Sequence, residues 1–214
     1  MKRTAFLVFA GLLVLGAASA WAEEGRFVIA PAAGYRTSGS FGVRADIDLP
    51  ISGVRLTDGF AYGLALGYRV NPNMAVEVLW AHSDPCAEGI SNIPGSPDIE
   101  LFDVDEDQFH ANFLFYFGSN KMFRPFFITG LGLTAFNPRT EDLGNEMRFS
   151  WNLGLGLEKM FTDKIGVRAT AKWFTTYINT RDEWMIDWWG NLWLVPVSQY
   201  MPQWDFTGSL IFRF

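Results

Sequence analysis

Residues 59–70 read GFAYGLALGYRV, and this stretch decides the class of fold. Bulky apolar side chains alternate with small or polar ones, which is the period of two that a β-strand requires. The same layout recurs along the chain, and no stretch shows convincing helical spacing. It predicts eight strands of about ten or more residues, the length of a tilted strand that crosses a membrane. The predicted strands cover residues 26–36, 59–70, 74–83, 107–117, 123–135, 147–161, 164–178 and 204–214.

The connections between these strands alternate in length. Tight turns are predicted at 71–73, 118–121 and 162–164, where Asn, Pro, Gly and Asp are concentrated. Long segments lie between them, at residues 37–58, 84–106, 136–146 and 179–203. Short turns that alternate with long loops, together with an even number of strands, are typical of transmembrane barrels. The sequence therefore predicts an all-β, eight-stranded antiparallel up-and-down transmembrane β-barrel with both termini on the periplasmic side.

The composition excludes several other classes of protein. The 214 residues are 49% hydrophobic and 19% charged, with a formal net charge of -6. Mean hydropathy is only +0.09, so the apolar residues are dispersed rather than gathered into spanning helices. An acidic surface is unsuited to nucleic-acid phosphates, and no nucleic-acid partner is expected. The single cysteine, Cys86, excludes a disulfide within the chain and any multi-cysteine metal site.

The first 22 residues form a predicted export signal. Lys2 and Arg3 precede an apolar run over residues 5–18, and the sequence SAWA follows at 19–22. This is the layout of a secretory signal peptide with cleavage after Ala22. A membrane anchor is the alternative, but the run is shorter than the roughly 20 residues that a spanning helix needs. We expect residues 23–214 to form the barrel domain in a bacterial outer membrane.

The glycines indicate which face of each strand points to lipid. In the strand predicted at 147–161, Leu153 and Leu155 lie on one face, and Asn152, Gly154 and Gly156 lie on the other. Glycine weakens a strand, so a water-exposed face rich in glycine would be hard to justify. Inside a narrow barrel the same glycines make room for large side chains opposite. We therefore predict that the apolar face meets lipid and the polar face lines the lumen.

Four charged residues on the polar face form a predicted lumenal ion-pair network. Glu77, Glu158 and Arg168 fall at similar heights above the nearest tight turn, and Lys172 lies four residues further along its strand. Removing one partner of such a water-shielded pair would leave an uncompensated charge. Two interpretations are open: the four residues fill a closed core, or they gate a polar path.

The last strand, 204–214, places Phe206, Leu210, Phe212 and Phe214 on one face. It resembles the sorting signal that the outer-membrane barrel assembly machinery reads, with Phe212 and Phe214 as the signal residues. One departure is that Gly208 lies one place before the expected glycine position, which Ser209 occupies.

Two further stretches resemble small eight-stranded outer-membrane proteins. Residues 124–133, RPFFITGLGL, resemble their fifth-strand motif, and residues 154–173 resemble their sixth-to-seventh hairpin. Within that group the chain is similar to the outer membrane protein A barrel and the outer membrane protein W family, and the latter is associated with passage of small hydrophobic compounds. The resemblance implies outer-membrane lipid, lipopolysaccharide and the assembly machinery as partners, with a small apolar solute as a further candidate.

The sequence contains partial motifs for cofactor binding, metal binding and catalysis, but the residues around each motif do not complete it. The pattern Gly130-x-Gly132-x-x-Ala135 lacks the helix that a dinucleotide site needs. The spacing in residues 103–107, DVDED, resembles a calcium loop but lacks its glycine and its final glutamate. His82 and Ser83 are adjacent and so point to opposite faces, which prevents a base from reaching its nucleophile. No catalytic residue, cofactor or metal is therefore predicted.

The last long loop carries tryptophans at positions 184, 188, 189 and 193, which is too apolar for an ordinary solvated loop. Trp184, Trp188, Trp189 and Trp193 either pack together over the barrel mouth or present a surface to an apolar ligand or partner. The predicted function is a non-enzymatic outer-membrane scaffold or surface protein with a largely plugged polar lumen. A narrow, porin-like channel for small or hydrophobic solutes is the alternative, and a lipid A-modifying enzyme comes third.

Overall fold

The computed structural model describes residues 26–37, 39–42, 51–91, 97–118, 123–140, 144–179, 184–186, 192–194 and 198–214. Their regular structure consists of β-strands. These are β1 (Phe27–Arg36), β2 (Ser40–Gly42), β3 (Ile51–Leu56), β4 (Gly59–Asn71), β5 (Met74–Ser83), β6 (Cys86–Ser91), β7 (Ile99–Tyr116), β8 (Phe123–Pro138), β9 (Glu146–Met160), β10 (Ile165–Asn179), β11 (Trp184–Ile186), β12 (Leu192–Leu194) and β13 (Ser198–Arg213). Among the described residues, no helix is long and apolar enough to cross a membrane.

Eight of the strands close into an antiparallel barrel in the order β1, β4, β5, β7, β8, β9, β10, β13 and back to β1. The ring closes where β1 meets the end of the chain: Ala33 lies opposite Tyr62 of β4 on one side and opposite Gly208 of β13 on the other. Every strand thus has two hydrogen-bonded neighbours. The predicted eight-stranded antiparallel barrel is confirmed.

The barrel continues outward into segments that the sequence predicts as loops. Strands β2, β3 and β6 form within residues 37–58 and 84–106, and β7 begins at Ile99 rather than at 107. The inner part of β7 pairs with β5, while its outer part pairs with β6. The extension combines cross-strand charge pairs with a small buried apolar cluster: Arg55 contacts Glu88 at 2.7 Å and Asp98 at 2.9 Å, while Leu56, Ala87 and Val104 are buried together. Strands β2, β3 and β6 are only three to six residues long, which is too short for a clear period of two in the sequence.

Local hydrogen bonds hold the tight turns at 71–73 and 162–164 at the opposite end, and residues 119–121 of the third predicted turn lie outside the described residues. The amide of Asn73 donates to Asn71 Oδ1 at 2.8 Å, and the amide of Ile165 donates to Thr162 Oγ1 at 2.9 Å. After β7 the chain reverses through Gly118, whose φ of 82° lies in the left-handed region that glycine tolerates. These turns define the turn side of the barrel, and the extension defines its rim side.

The two faces of the barrel wall are inverted relative to a water-soluble protein. Phe60 and Leu155 on the outer face are 65% and 64% exposed, whereas Asn152 and Glu158 on the inner face are 0% and 1% exposed. The apolar side chains outside form a continuous surface suited to lipid, and the polar side chains fill the interior. This is the predicted orientation of the faces.

Close packing between neighbouring strands on the inner side of the wall accounts for the inward-facing glycines. A Cβ atom on Gly156 would overlap the ring of Phe126, which lies opposite it on β8. A Cβ on Gly132 would overlap backbone opposite it and would lie 2.8 Å from the imidazole of His110. The glycines therefore let large lumenal side chains lie against the neighbouring backbone.

The lipid-facing position of Leu155 generates a test of the orientation. Leu155→Lys places a charge on the outer face near the middle of β9, and we expect it to lower the free energy of unfolding in lipid vesicles by about 2–4 kcal/mol. Phe161→Lys, at the turn side, is the matched control and should cost about 0–1 kcal/mol, because an interfacial lysine reaches water. Equal losses in a urea titration of the two variants would contradict the orientation.

Candidate functional site

Arg168 of β10 lies at the centre of a buried group of charges near the turn side. Its Nη1 is 2.6 Å from Glu77 Oε2 of β5, and its Nη2 is 3.3 Å from Glu158 Oε2 of β9. The three side chains are at most 5% exposed. The structure therefore brings together three of the four residues of the predicted network.

Glu158 also interacts with three residues that the sequence analysis did not single out. Arg69 Nη2 is 3.1 Å from Glu158 Oε1, and Arg213 contacts the same oxygen. The hydroxyl of Tyr116 donates to Oε2 at 3.0 Å. The guanidinium of Arg124 lies 4.4 Å from the centre of the Tyr116 ring and donates to the Pro72 carbonyl. The turn-side cluster therefore consists of Arg69, Glu77, Tyr116, Arg124, Glu158, Arg168 and Arg213.

A neutral layer of polar side chains crosses the middle of the lumen. Asn152 Nδ2 donates to His110 Nδ1 at 2.8 Å and to Asn112 Oδ1 at 2.8 Å. Since Nδ1 accepts, the imidazole proton is on Nε2, which donates to Ser150 Oγ at 3.0 Å. The ring of Phe174 packs edge-on against His110 with the ring centres 5.0 Å apart. These five residues, the middle layer, fill the lumen above the turn-side cluster.

Lys172 belongs to a second group of charges, at the rim side, and not to the turn-side cluster. Its Nζ is 3.9 Å from Asp205 Oδ2, which also lies 3.5 Å from Arg36 Nη2. Arg36 Nη1 is 3.3 Å from Glu106, whose carboxylate accepts hydrogen bonds from two glutamines. Lys172 lies directly opposite Asp205 on the neighbouring strand β13, so it meets a different carboxylate. The rim-side cluster consists of Arg36, Glu106, Gln108, Lys172, Gln203 and Asp205.

A small recess lies beside the rim-side cluster. It is lined by Arg36, Thr57, Gly59, Ser83, Pro85, Glu106 and Gln203. Ser83 faces it from the inner side of β5 and accepts a hydrogen bond of 3.0 Å from Arg36 Nη1. His82 is on the outer side of the same strand, so the two side chains diverge as predicted.

His82 sits in a separate group of polar residues at the outer edge of the barrel. Its Nδ1 is 3.0 Å from Asp107 Oδ1, and its Nε2 is 3.2 Å from Asp84 Oδ1. His82, Asp84 and Asp105 have potential metal-ligand atoms within 4.8 Å of one another. Arg139 already bridges the two carboxylates, at 2.7 Å from Asp84 and 2.6 Å from Asp105. The guanidinium thus already lies between the two carboxylates.

Cys86 begins β6 in the rim-side extension. Partial burial, followed by the nearby carboxylates of Asp103, Glu100 and Glu88, raises the pKa of its thiol. The thiol therefore stays protonated at neutral pH and is a poor nucleophile.

The remaining predicted site residues lie on the last loop and the last strand. Trp184 begins β11 and lies opposite Leu194 in a short hairpin with β12, which contains Trp193. Trp188 and Trp189 lie outside the described residues. Phe212 on β13 is half-buried, and Phe214, which follows the strand, is exposed.

The closed barrel, its lipid-facing apolar surface and its buried charges define a class of transmembrane β-barrel proteins. Residues 7–187 match the family model for the outer membrane protein beta-barrel domain. The chain belongs to this family and is an integral β-barrel protein of the bacterial outer membrane. No curated protein matches the sequence.

Solved barrels share the fold at low sequence identity. Outer membrane protein OprG from Pseudomonas aeruginosa is 14% identical with a TM-score of 0.62, and the match covers 89% of this chain and 96% of OprG. Neisserial surface protein A is 12% identical with a TM-score of 0.56, over 88% and 97%. Outer membrane protein AlkL, solved in lipid bilayers, is 16% identical with a TM-score of 0.54, over 91% and 93%. These likenesses show a shared architecture.

The sequence analysis missed most of the arginines and carboxylates that complete the two clusters. Arg69 and Arg124 sit on the polar face of predicted strands, one or two residues from a tight turn, and this position is the signal that could have found them. Glu106 could not be found in this way because it falls in a segment predicted as loop. Asp205 lies on the inner face of the last strand, whereas the sorting-signal pattern concerns only the apolar outer face of that strand.

The burial of Arg168 generates a second prediction. Arg168→Ala removes the guanidinium that pairs with the buried Glu77 carboxylate, while Glu158 keeps Arg69 and Arg213, and we expect it to lower the free energy of unfolding by about 3–5 kcal/mol. Arg55→Ala is the control, since its guanidinium pairs with two carboxylates but is 43% exposed and should cost about 0–1 kcal/mol. Urea unfolding in lipid vesicles measures both. A loss for Arg168→Ala no larger than that for Arg55→Ala would show that the lumen is well hydrated.

Proposed function

We propose that the chain is a non-enzymatic scaffold or surface protein of the outer membrane whose polar lumen is plugged by its own side chains. The observation that carries the proposal is the middle layer. His110, Ser150, Asn152 and Phe174 are at most 2% exposed. Charged clusters adjoin this layer on both sides, so a solute would have to break ion pairs as well as displace the layer.

A narrow path for small solutes is the second candidate function. Buried side-chain atoms without a hydrogen-bond partner lie at several heights of the lumen. Among the described residues they include Arg36 Nε, Gln108 Oε1, Asn152 Oδ1 and Arg168 Nε. Unpaired buried polar atoms are costly, and water or a passing solute would satisfy them. They favour this candidate over a completely dry core.

Planar-bilayer recordings separate the two candidates. We expect the parent protein and Arg168→Ala to show negligible current, because the middle layer closes the lumen in both. A gate made of the turn-side ion pairs would instead give discrete openings in the parent and a larger open fraction in Arg168→Ala. Such openings would overturn the plugged lumen. Glu158→Ala is the companion variant, since it removes the carboxylate of the same pairs.

The hydrogen bonds of His110 support the non-enzymatic part of the proposal. The Ser150, His110 and Asn152 side chains have the order of a nucleophile, a base and an orienting group. The imidazole donates to the serine here, so it cannot accept the serine proton. The group is also sealed in the lumen. Mass spectrometry of lipid A from expressing cells should show no modification relative to cells that lack the protein, and a new or missing acyl chain would contradict this.

The partners proposed for the chain follow from its surfaces. The lipid-facing apolar wall suits outer-membrane lipid, and the charged rim suits lipopolysaccharide headgroups. Phe212 and Phe214 at the end of β13 suit recognition by the barrel assembly machinery. Cleavage after Ala22, and an apolar ligand for the tryptophan loop, remain predictions from the sequence.

A further inference from the structure

The turn-side cluster carries more positive than negative charge. Within the described residues it holds four guanidinium groups against two carboxylates, Glu77 and Glu158. The rim-side cluster, by contrast, holds two cations and two carboxylates. The side chains of the turn-side cluster therefore carry two more positive than negative charges, whereas those of the rim-side cluster are balanced.

One carboxylate is shared among too many guanidinium groups. Arg69 and Arg213 both contact Glu158 Oε1, while Arg168 contacts the other oxygen. The buried Nε atoms of these three arginines have no hydrogen-bond partner among the described residues. Several donors at this end of the lumen therefore remain without an acceptor.

Arg124 completes the arrangement without any carboxylate of its own. Among the described residues its contacts are the Pro72 carbonyl and the face of the Tyr116 ring. Arg69 also lies over that ring, with its Cζ atom 5.1 Å from the ring centre. Tyr116 thus holds two guanidinium groups near each other at the mouth of the lumen.

Position and chemistry together specify a ligand. The side chains of Arg69 and Arg213 are 15% and 12% exposed, so they are reachable from the periplasm, whereas Arg168 is deeper at 5%. A buried surplus of charge is costly unless an ion of opposite sign neutralises it. Guanidinium groups bind planar or tetrahedral oxyanions through paired hydrogen bonds. A doubly charged oxyanion would match the surplus.

We propose that Arg69, Arg124 and Arg213 form a binding site for a small phosphate-class oxyanion at the periplasmic mouth of the barrel. Glu158 holds two of the guanidinium groups in place, and the Tyr116 ring positions the third. The site is independent of whether the lumen conducts, because the middle layer lies beyond it.

Calorimetric titration of inorganic phosphate into the detergent-solubilised protein tests the site, with sodium chloride adjusted to keep the ionic strength constant. We expect one phosphate per chain in the parent protein. Arg124→Gln should weaken binding at least about tenfold, as expected for the loss of one charge-assisted hydrogen bond. Arg139→Gln is the matched control, because that arginine is at the opposite rim and should leave phosphate binding unchanged.

Arg69→Gln keeps the test decisive if Arg124→Gln does not fold, since it removes a second guanidinium of the site and should weaken binding similarly. The heat-dependent mobility of the barrel in gels verifies folding of each variant. Absence of phosphate binding in the parent, or equal binding in the parent and both variants, would overturn the proposal. Glu23→Gln/Glu24→Gln tests two carboxylates that precede β1 in the sequence as alternative occupants. Phosphate binding by the Glu23→Gln/Glu24→Gln variant but not by the parent protein would also overturn the proposal.

Discussion

Lipid offers no hydrogen-bond partners, and this constraint governs the whole structure. A strand in the hydrocarbon region needs a neighbour on both sides, so the sheet must close. The pairing of β1 with β13 closes the sheet, because Ala33 of β1 then lies opposite Tyr62 on one side and opposite Gly208 on the other. Because the wall separates lipid from a narrow interior, apolar side chains turn outward and polar ones turn inward. The inverted faces, the inward glycines and the buried charges all follow from that closure.

The narrow interior then imposes its own requirement, since charges shielded from water must be paired. The protein meets it with two clusters separated by an uncharged middle layer. The rim-side cluster is balanced, with Arg36 and Lys172 facing two carboxylates. The turn-side cluster is not balanced within the described residues, and its surplus lies where the periplasm can supply an anion. The two ends of the lumen thus differ in charge although they share one wall.

Much of the fold was predictable because the residues of a membrane-spanning strand have to alternate between apolar side chains that face lipid and polar side chains that face the lumen. The sequence predicted both ends of the strand at 74–83 correctly. Counting residues from the tight turns also predicted that Glu77, Glu158 and Arg168 lie together. The outer strands were not predictable, because β2, β3 and β6 span only three to six residues, which is too short to show a clear apolar period. Lys172 was grouped with Glu77, Glu158 and Arg168, but it pairs with Asp205, which lies directly opposite it on the adjacent strand β13 and was not considered as a partner.

The central claim is the direction in which each face of the wall points, and a nitroxide scan along β9 tests it most directly. Single cysteines would be placed from residue 147 to residue 157 in a Cys86→Ser background and labelled in lipid vesicles. The account predicts that odd positions such as Leu155 are accessible to oxygen dissolved in lipid, while even positions such as Asn152 are not. Labels at odd positions that are relaxed by a water-soluble nickel complex and shielded from oxygen would contradict it.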